Sequence, residues 1–300
     1  VMSYGQELPQ LTPPSPTAYQ LTKYGDIPVN ESSGVASIGI PIFNFTAGDL
    51  SVPISLGYSA SGIKVNQVAS WVGMGWDLNA GGVITRSIKG LADENQRVFT
   101  DITTVLNLKA NNLVPGFLNF ALDVLEGSDY QPDIYTFNIG GYSGSFYINQ
   151  NSVPVFLKKE SEIKLEKVAA GFVLTTPKGM KYHFDGTGEK SRSASLSTSS
   201  SGHQEPIQEY QTTWFLTKIS NYKGDEINFK YDYSSNYWYT TGLDQTMTAS
   251  SSVSSGGVTL NTTAYKSYVE SKKISEIYTN RNNTKIVFNA SKTRTDLPGE

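Results

Sequence analysis

The chain has 300 residues, of which 17% are charged, and glycine and tyrosine are abundant, a composition more typical of extracellular β-proteins than of cytosolic enzymes. The 24 basic and 27 acidic residues give a formal net charge of −3, which argues against the concentrated basic surface of a nucleic-acid-binding protein. No apolar run approaches the roughly 20 residues of a membrane-spanning helix, so no membrane insertion is expected. The absence of cysteine excludes disulfides, thiol catalysis and cysteine-ligated metal sites.

Residues 1–20 are predicted to be a leader. Ser3 and Gly5 are small residues at positions −3 and −1 relative to Gln6, as at a signal-peptidase site, so residues 1–5 are interpreted either as the remnant of a signal peptide or as ordinary terminal residues. The following stretch, 8–16, contains four prolines and is restricted to extended or polyproline-like conformations.

The first strands are predicted between residues 38 and 58. Apolar residues alternate with small or polar ones along 51–58, and a period of two indicates a strand with one buried face. The preceding apolar stretch, 38–45, is separated from it by the short turn 47–49, so the two segments are predicted to form a hairpin. Pro53 lacks an N–H group, which favours an edge position or the end of a ladder.

The segment 69–86 combines four glycines with two tryptophans and predicts tight turns against which indole rings pack. A phosphate-binding loop is disfavoured, because Gly73 and Gly75 lack the third glycine and no Gly-Lys-Ser/Thr follows. We therefore predict a structural role in holding the first sheet together for Trp71, Gly73, Gly75, Trp76, Asn79, Gly81, Gly82 and Arg86.

A single short helix is predicted near 116–126, where apolar residues recur every three to four positions after Pro115. Its polar face lacks lysine and arginine, so it is expected to cover a sheet edge rather than to bind a membrane.

Hairpins are predicted again from Ile134 onwards, the first of them over 134–148 around Gly140 and Gly141. A loosely recurring unit follows, in which an apolar strand, a turn rich in basic residues, glycine or asparagine, and an alternating return strand succeed one another. Repeated hairpins of this kind stack into an extended sheet. The three copies are 172–184, 215–233 and 274–288.

The stretches between these copies, 191–202 and 249–257, are rich in serine or glycine and are predicted to be mobile surface loops, because they have little to bury.

No catalytic motif accompanies the two histidines, His183 and His203, and no cofactor or metal site is predicted. The chain is accordingly interpreted as non-enzymatic; a hydrolase is the weakest alternative and would require convergent carboxylates with perturbed pKa values.

An aromatic cluster could stack on sugar rings if exposed, although its alternation favours packing between strands. It comprises Tyr231, Tyr233, Tyr237, Trp238 and Tyr239.

Four long motifs stand out along the chain: 23–29 with 48–58 and 60–65, then 69–86 as the most specific, 132–144 and 174–185. They resemble the N-terminal region of secreted RHS/YD-repeat proteins of Bacteroidetes, and 69–86 also resembles the opening of the B component of insecticidal Tc toxins. The resemblance covers most of the chain, from about Leu8 to Pro298.

The resemblance implies a mainly β fold of antiparallel hairpins and sheets that starts or caps an RHS/YD-repeat β-shell, with 21–150 as a cap module and 151–300 as a hairpin region leading into the repeats. The protein would be secreted or on the cell surface, exported by the type IX machinery, and its partners would be the YD repeats and a C-terminal toxin or effector of the same polypeptide. Typical YD repeats and a toxin domain are absent from these residues. A cell-surface adhesin or glycan-binding module is the alternative.

Overall fold

The protein is mainly β, as predicted, and its sheets are antiparallel. No helix among the described residues is long and apolar enough to span a membrane. The computed structural model describes residues 37–59, 62, 67–89, 92–94, 122, 129–158, 162–197, 208–249, 258–289 and 297.

Nineteen strands lie in these ranges. The first ten are β1 Ser37–Ala47, β2 Leu50–Ser59, β3 Trp76–Asn79, β4 Val83–Ser87, β5 Ile134–Ile139, β6 Tyr142–Ile148, β7 Pro154–Phe156, β8 Lys164–Val168, β9 Gly171–Thr175 and β10 Lys181–Phe184. The remaining nine are β11 Lys190–Ser197, β12 Gln208–Gln211, β13 Thr213–Phe215, β14 Lys218–Ser220, β15 Glu226–Lys230, β16 Tyr233–Ala249, β17 Val258–Lys273, β18 Glu276–Thr279 and β19 Lys285–Val287.

The strands form four sheets, with the orders β1-β2-β3, β13-β4-β5-β6-β7, β12-β11-β17-β16 and β19-β18-β15-β14-β10-β9-β8. The five-stranded sheet combines strands from both sides of residue 150. The chain divides into two compact units, and the division falls within β1 and β2. The described part of the first unit lies in 37–42 and 55–79, and that of the second in 43–54 and 80–297.

The seven-stranded sheet contains all three predicted hairpin units, in chain order and next to one another. The first unit supplies β9 and β10, the second β14 and β15, and the third β18 and β19. Neighbouring units are paired directly, since β10 pairs with β14 and β15 pairs with β18. We call this assembly the hairpin sheet; its two edges are β8 and β19.

The hydrophobic core of the second unit is dominated by aromatic rings. Phe172 of the hairpin sheet lies 5.4 Å from Phe146, 5.7 Å from Tyr135 and 5.3 Å from Trp214, measured between ring centroids. These three partners belong to the five-stranded sheet. Edge-to-face and tilted rings at such distances gain quadrupole attraction in addition to burial, so the two sheets are held together by this cluster.

A long ribbon, formed by β16 and β17, interrupts the chain between the second and third hairpin units. Its strands have 17 and 16 residues and pair throughout, with a register shift between Thr240 and Gly242. Extended chain of this length spans roughly 55 Å. The half of the ribbon beyond the register shift leaves Leu243, Met247 and Leu260 exposed.

Part of one predicted loop is a strand in the structure. Residues 191–197, predicted as part of a mobile loop, instead belong to β11, which pairs with both β12 and β17; its serines lack apolar patterning, and the two neighbouring strands satisfy its backbone. The predicted helix near 116–126 lies outside the described residues except for exposed Leu122. The predicted leader 1–20, the remainder of the first loop and His203, and residues 250–257 of the second loop lie outside them as well.

Candidate functional site

The feature with the clearest functional geometry is the outer edge of the hairpin sheet, strand β19, which among the described residues pairs with β18 alone. Phe288 N donates to Ser275 O at 2.8 Å, and Thr279 N donates to Thr284 O at 3.2 Å. Because hydrogen-bonding direction alternates along an antiparallel pair, Ile286 faces β18 with its backbone groups, whereas Lys285 and Val287 direct theirs outward. The edge therefore presents a short row of backbone donors and acceptors in register with the hairpin sheet.

Three turns meet at one end of the hairpin sheet. The carboxylate of Asp225, in the turn between β14 and β15, accepts hydrogen bonds from Asn221 Nδ2 at 2.9 Å and from Arg281 Nη1 at 2.6 Å. Lys223 of the same turn forms an ion pair with Asp49, in the turn between β1 and β2. Gly48 has φ of +59°, and a Cβ there would lie 2.3 Å from Asp225 Oδ2. This turn cluster thus joins consecutive hairpins and needs glycine at residue 48.

A buried ion pair forms the second structural centre. Arg86 and Asp133 have fully buried side chains, and Arg86 Nε donates to Asp133 Oδ2 at 2.7 Å. The carboxylate of Asp133 also accepts the backbone N–H groups of Lys89 and Asp93, at 2.9 and 3.0 Å. Arg86 Nη1 donates in addition to Glu94 Oε1 at 2.7 Å. The cluster therefore ties Lys89, Asp93 and Glu94 to the beginning of β5.

The pKa values of this cluster follow from its contacts. Burial lowers the pKa of Arg86, but the hydrogen bond to Glu94 and the charges nearby outweigh burial and raise it further above its ordinary value. Burial raises the pKa of Glu94, but the hydrogen bond from Arg86, a backbone hydrogen bond and the charges of Arg86 and Lys167 together outweigh this effect and leave the pKa of Glu94 below its ordinary value of 4.5.

We expect Glu94→Gln to destabilise the protein at neutral pH, and we expect this difference from wild type to shrink as the pH falls below about 4.5. A carboxylate with a depressed folded-state pKa stabilises the fold above its unfolded-state pKa and loses that contribution on protonation. Urea unfolding of both proteins between pH 7 and 3 measures the difference. The control is Glu166→Gln: both glutamates are exposed, but Glu166 pairs with the exposed Lys164, whereas Glu94 pairs with the buried Arg86. A pH-independent gap for Glu94→Gln would contradict the expectation.

The glycine- and tryptophan-rich motif is divided between the two units. In the first unit, Gly73 N donates to Ser70 O at 3.2 Å, and Ser59 N donates to Gly75 O at 2.9 Å. The positive φ angles of Gly73 and Gly75, 126° and 74°, explain the glycines in this turn. The Trp76 ring lies 5.0 Å from that of Tyr58. These two residues are cross-strand partners at one end of the β2–β3 ladder, and Asn79 is paired at its other end.

Other members of the motif lie differently from the prediction. Trp71 is partly exposed, at 37%. Gly81, Gly82 and Arg86 belong to the second unit, where a Cβ on Gly82 would lie 2.5 Å from the side chain of Ile139. A Cβ on Gly81 would lie 3.2 Å from the Phe229 ring. These three residues serve the five-stranded sheet and its core rather than the first sheet.

The predicted aromatic cluster does not form one surface. Tyr231 stacks on Phe215 with 5.1 Å between ring centroids, and its hydroxyl donates to Leu216 O at 2.8 Å; desolvation raises its pKa. Tyr237 and Tyr239 stack on each other at 6.4 Å, and Trp238 projects from the opposite face of the same strand, since successive side chains alternate. Tyr233 pairs with Lys273 through the backbone, but the structure does not describe its side chain.

His183 lies in β10 beside Ser220. Its Nε2 lies 3.3 Å from Ser220 Oγ, and desolvation, followed by the charge of Lys218, lowers its pKa. In the part of the chain that the structure describes, no group of three or more histidine, aspartate or glutamate side chains is arranged to hold a metal ion.

Comparison with protein-family models, with curated proteins and with solved structures gives no significant match to this chain.

Proposed function

We propose that the chain is a structural, non-catalytic N-terminal module of a large secreted or cell-surface RHS/YD-repeat protein, and that it starts or caps a β-shell able to enclose a C-terminal toxin or effector segment. The observation that carries this proposal is the hairpin sheet. Three hairpins occur in it side by side in chain order, which is how successive hairpins would have to be laid down to wind a continuous shell wall.

The strand β19 gives the proposed wall its direction of growth. It is the edge of the hairpin sheet on the side of the later hairpins, and the backbone groups of Lys285 and Val287 face outward. An exposed edge of this kind is a template for a further strand, and the proposed occupant is the next hairpin of the same polypeptide. The ion pair of Arg281 with Asp225 connects the turns of the second and third hairpins, and that of Lys223 with Asp49 connects the second hairpin to the turn between β1 and β2.

We expect Val287→Pro to block this extension in the longer polypeptide. Proline removes the outward N–H of residue 287 and leaves the hydrogen bonds between β18 and β19 in place. The full-length protein carrying this substitution should lose protease resistance downstream of residue 290, whereas Val287→Thr, which retains the N–H, should not. Limited proteolysis followed by mass spectrometry measures the result. Equal resistance of the two variants would contradict pairing at this edge.

The shell itself is tested by cryo-electron microscopy of the full-length secreted protein from its native host. The proposal predicts that the second unit closes one end of a β-shell around density for a C-terminal segment. Observation of the same unit as a free domain with β19 unpaired would overturn the capping function.

A further inference from the structure

The four-stranded sheet β12-β11-β17-β16, which is distinct from the hairpin sheet, carries a shallow cleft of about 50 Å³. We propose that this cleft binds an uncharged saccharide. The inference is independent of the proposed shell function, because neither β19 nor the turn cluster contributes to the cleft. The polar side chains that line it are Lys190, Arg192, Glu209, Asn236, Tyr268 and Glu270.

The register of the sheet places these side chains together. Cross-strand partners project from the same face of a sheet, and the six side chains of the cleft belong to two adjacent rows of such partners. The first row consists of Glu209, Arg192, Tyr268 and Trp238. The second row consists of Gln211, Lys190, Glu270 and Asn236.

Aromatic rings position two cations on this face. The guanidinium carbon of Arg192 lies 4.9 Å from the centroid of the Tyr268 ring, and Lys266 Nζ lies 3.9 Å from that of Trp238. The rings of Trp238 and Tyr268 are themselves neighbours, with centroids 6.5 Å apart. A guanidinium stacked on a ring keeps its plane fixed, so Arg192 lines the cleft in a defined orientation.

The charges of the cleft favour an uncharged ligand. Lys190 and Arg192 are cationic and Glu209 and Glu270 are anionic, and Lys190 Nζ lies 3.0 Å from Glu209 Oε1. An ionic ligand would be attracted by the two side chains of opposite charge and repelled by the two side chains of like charge. A hydroxyl group, in contrast, both donates and accepts, so a polyol can donate to the carboxylates, accept from the cations and use both functions of the Asn236 amide. A saccharide ring carries several such hydroxyls on one rigid frame.

The test is saturation-transfer NMR, followed by calorimetric titration, of the full chain with cellotetraose, maltotetraose, mannotetraose and N-acetylchitotetraose. At least one of them should bind with a Kd near or below about 1 mM, as expected for a shallow polar site. Because the ligand is uncharged, its Kd should change by less than about twofold between low and high salt. The anionic probe is 3′-sialyllactose.

Three variants tie the binding to the cleft. Asn236→Ala and Arg192→Lys should each weaken binding at least about fivefold, the first by removing an amide and the second by removing the planar fork while keeping the charge. Tyr265→Phe is the matched control, because Tyr265 pairs with Gly242 beyond the register shift and contacts Asp244; it should bind as wild type does. Thermal unfolding establishes that all three variants are folded.

Three outcomes overturn the proposal. The first is that none of the four oligosaccharides binds at concentrations up to about 10 mM. The second is that 3′-sialyllactose alone binds, with a salt-dependent Kd. The third is that folded Asn236→Ala and Arg192→Lys bind an oligosaccharide as tightly as the control, in which case the ion pairs and cation–π contacts only stabilise the sheet.

Discussion

Replacement of Asp133 by alanine is expected to lower the free energy of unfolding by about 3–5 kcal/mol, the usual effect of removing one partner of a buried ion pair. The substitution leaves the guanidinium of Arg86 in a site where its side chain has no exposure. It also removes the acceptor for the backbone N–H groups of Lys89 and Asp93, and the loss of these two hydrogen bonds adds to the cost. Urea unfolding at pH 7, compared with wild type, measures the loss.

Two comparisons separate the charge from the hydrogen bonds. Asp133→Asn retains an oxygen acceptor but removes the charge, so its stability should lie between those of wild type and Asp133→Ala. The double variant Arg86→Met/Asp133→Leu removes both charges and should recover part of the loss, because apolar replacements of a whole buried pair are often tolerated. A loss below about 1 kcal/mol for Asp133→Ala would show that the pair contributes little to the fold.

Replacement of Gly171 by alanine is expected to destabilise the protein by at least about 3 kcal/mol, at the upper end of the usual cost of overpacking. A Cβ on Gly171 would lie 1.7 Å from the carbonyl oxygen of Phe184 and 3.1 Å from the backbone nitrogen of Gly186. Both atoms belong to the main chain, so no side-chain rotation relieves the overlap. The pairing of Phe172 with Phe184 between β9 and β10 must shift instead, and with it the aromatic core.

The matched control for this prediction is Gly39→Ala. Gly39 also lies in a strand, but no atom lies within 4 Å of the position that its Cβ would occupy, so the change should stay within about 0.5 kcal/mol. Thermal unfolding of the two variants beside wild type measures the contrast. Similar melting temperatures for Gly171→Ala and Gly39→Ala would mean that β9 and β10 separate at little cost.

Local patterns predicted the hairpins well, because the alternation of a strand and the glycine of its turn are both encoded in neighbouring residues. Tyr182 and Phe184 alternate after the turn at Gly179, and both are buried as expected. The pairing of β15 with β18 and of β4 with β13 joins segments far apart in the chain, and no local signal indicates it. The same holds for Arg86, whose partner Asp133 lies 47 residues away.

The candidate cleft was even less accessible to sequence patterns. Adjacent aromatic residues 237, 238 and 239 suggested one cluster, although a period of two necessarily places Trp238 on the face opposite Tyr237 and Tyr239. The cleft also depends on β11, whose serine-rich sequence resembles a loop. Its status as a strand is set by β12 and β17 on either side, which a single sequence does not reveal.

The ribbon of β16 and β17 has a consequence for the order of folding. It separates β15 from β18, which pair directly although roughly 45 residues lie between them. If the ribbon forms first, as a hairpin with local contacts can, the effective loop between β15 and β18 shrinks to a few residues. The entropic free-energy cost of closing that loop then falls by about 2 kcal/mol, so a ribbon that forms first keeps the long insertion from delaying the joining of the second and third hairpins.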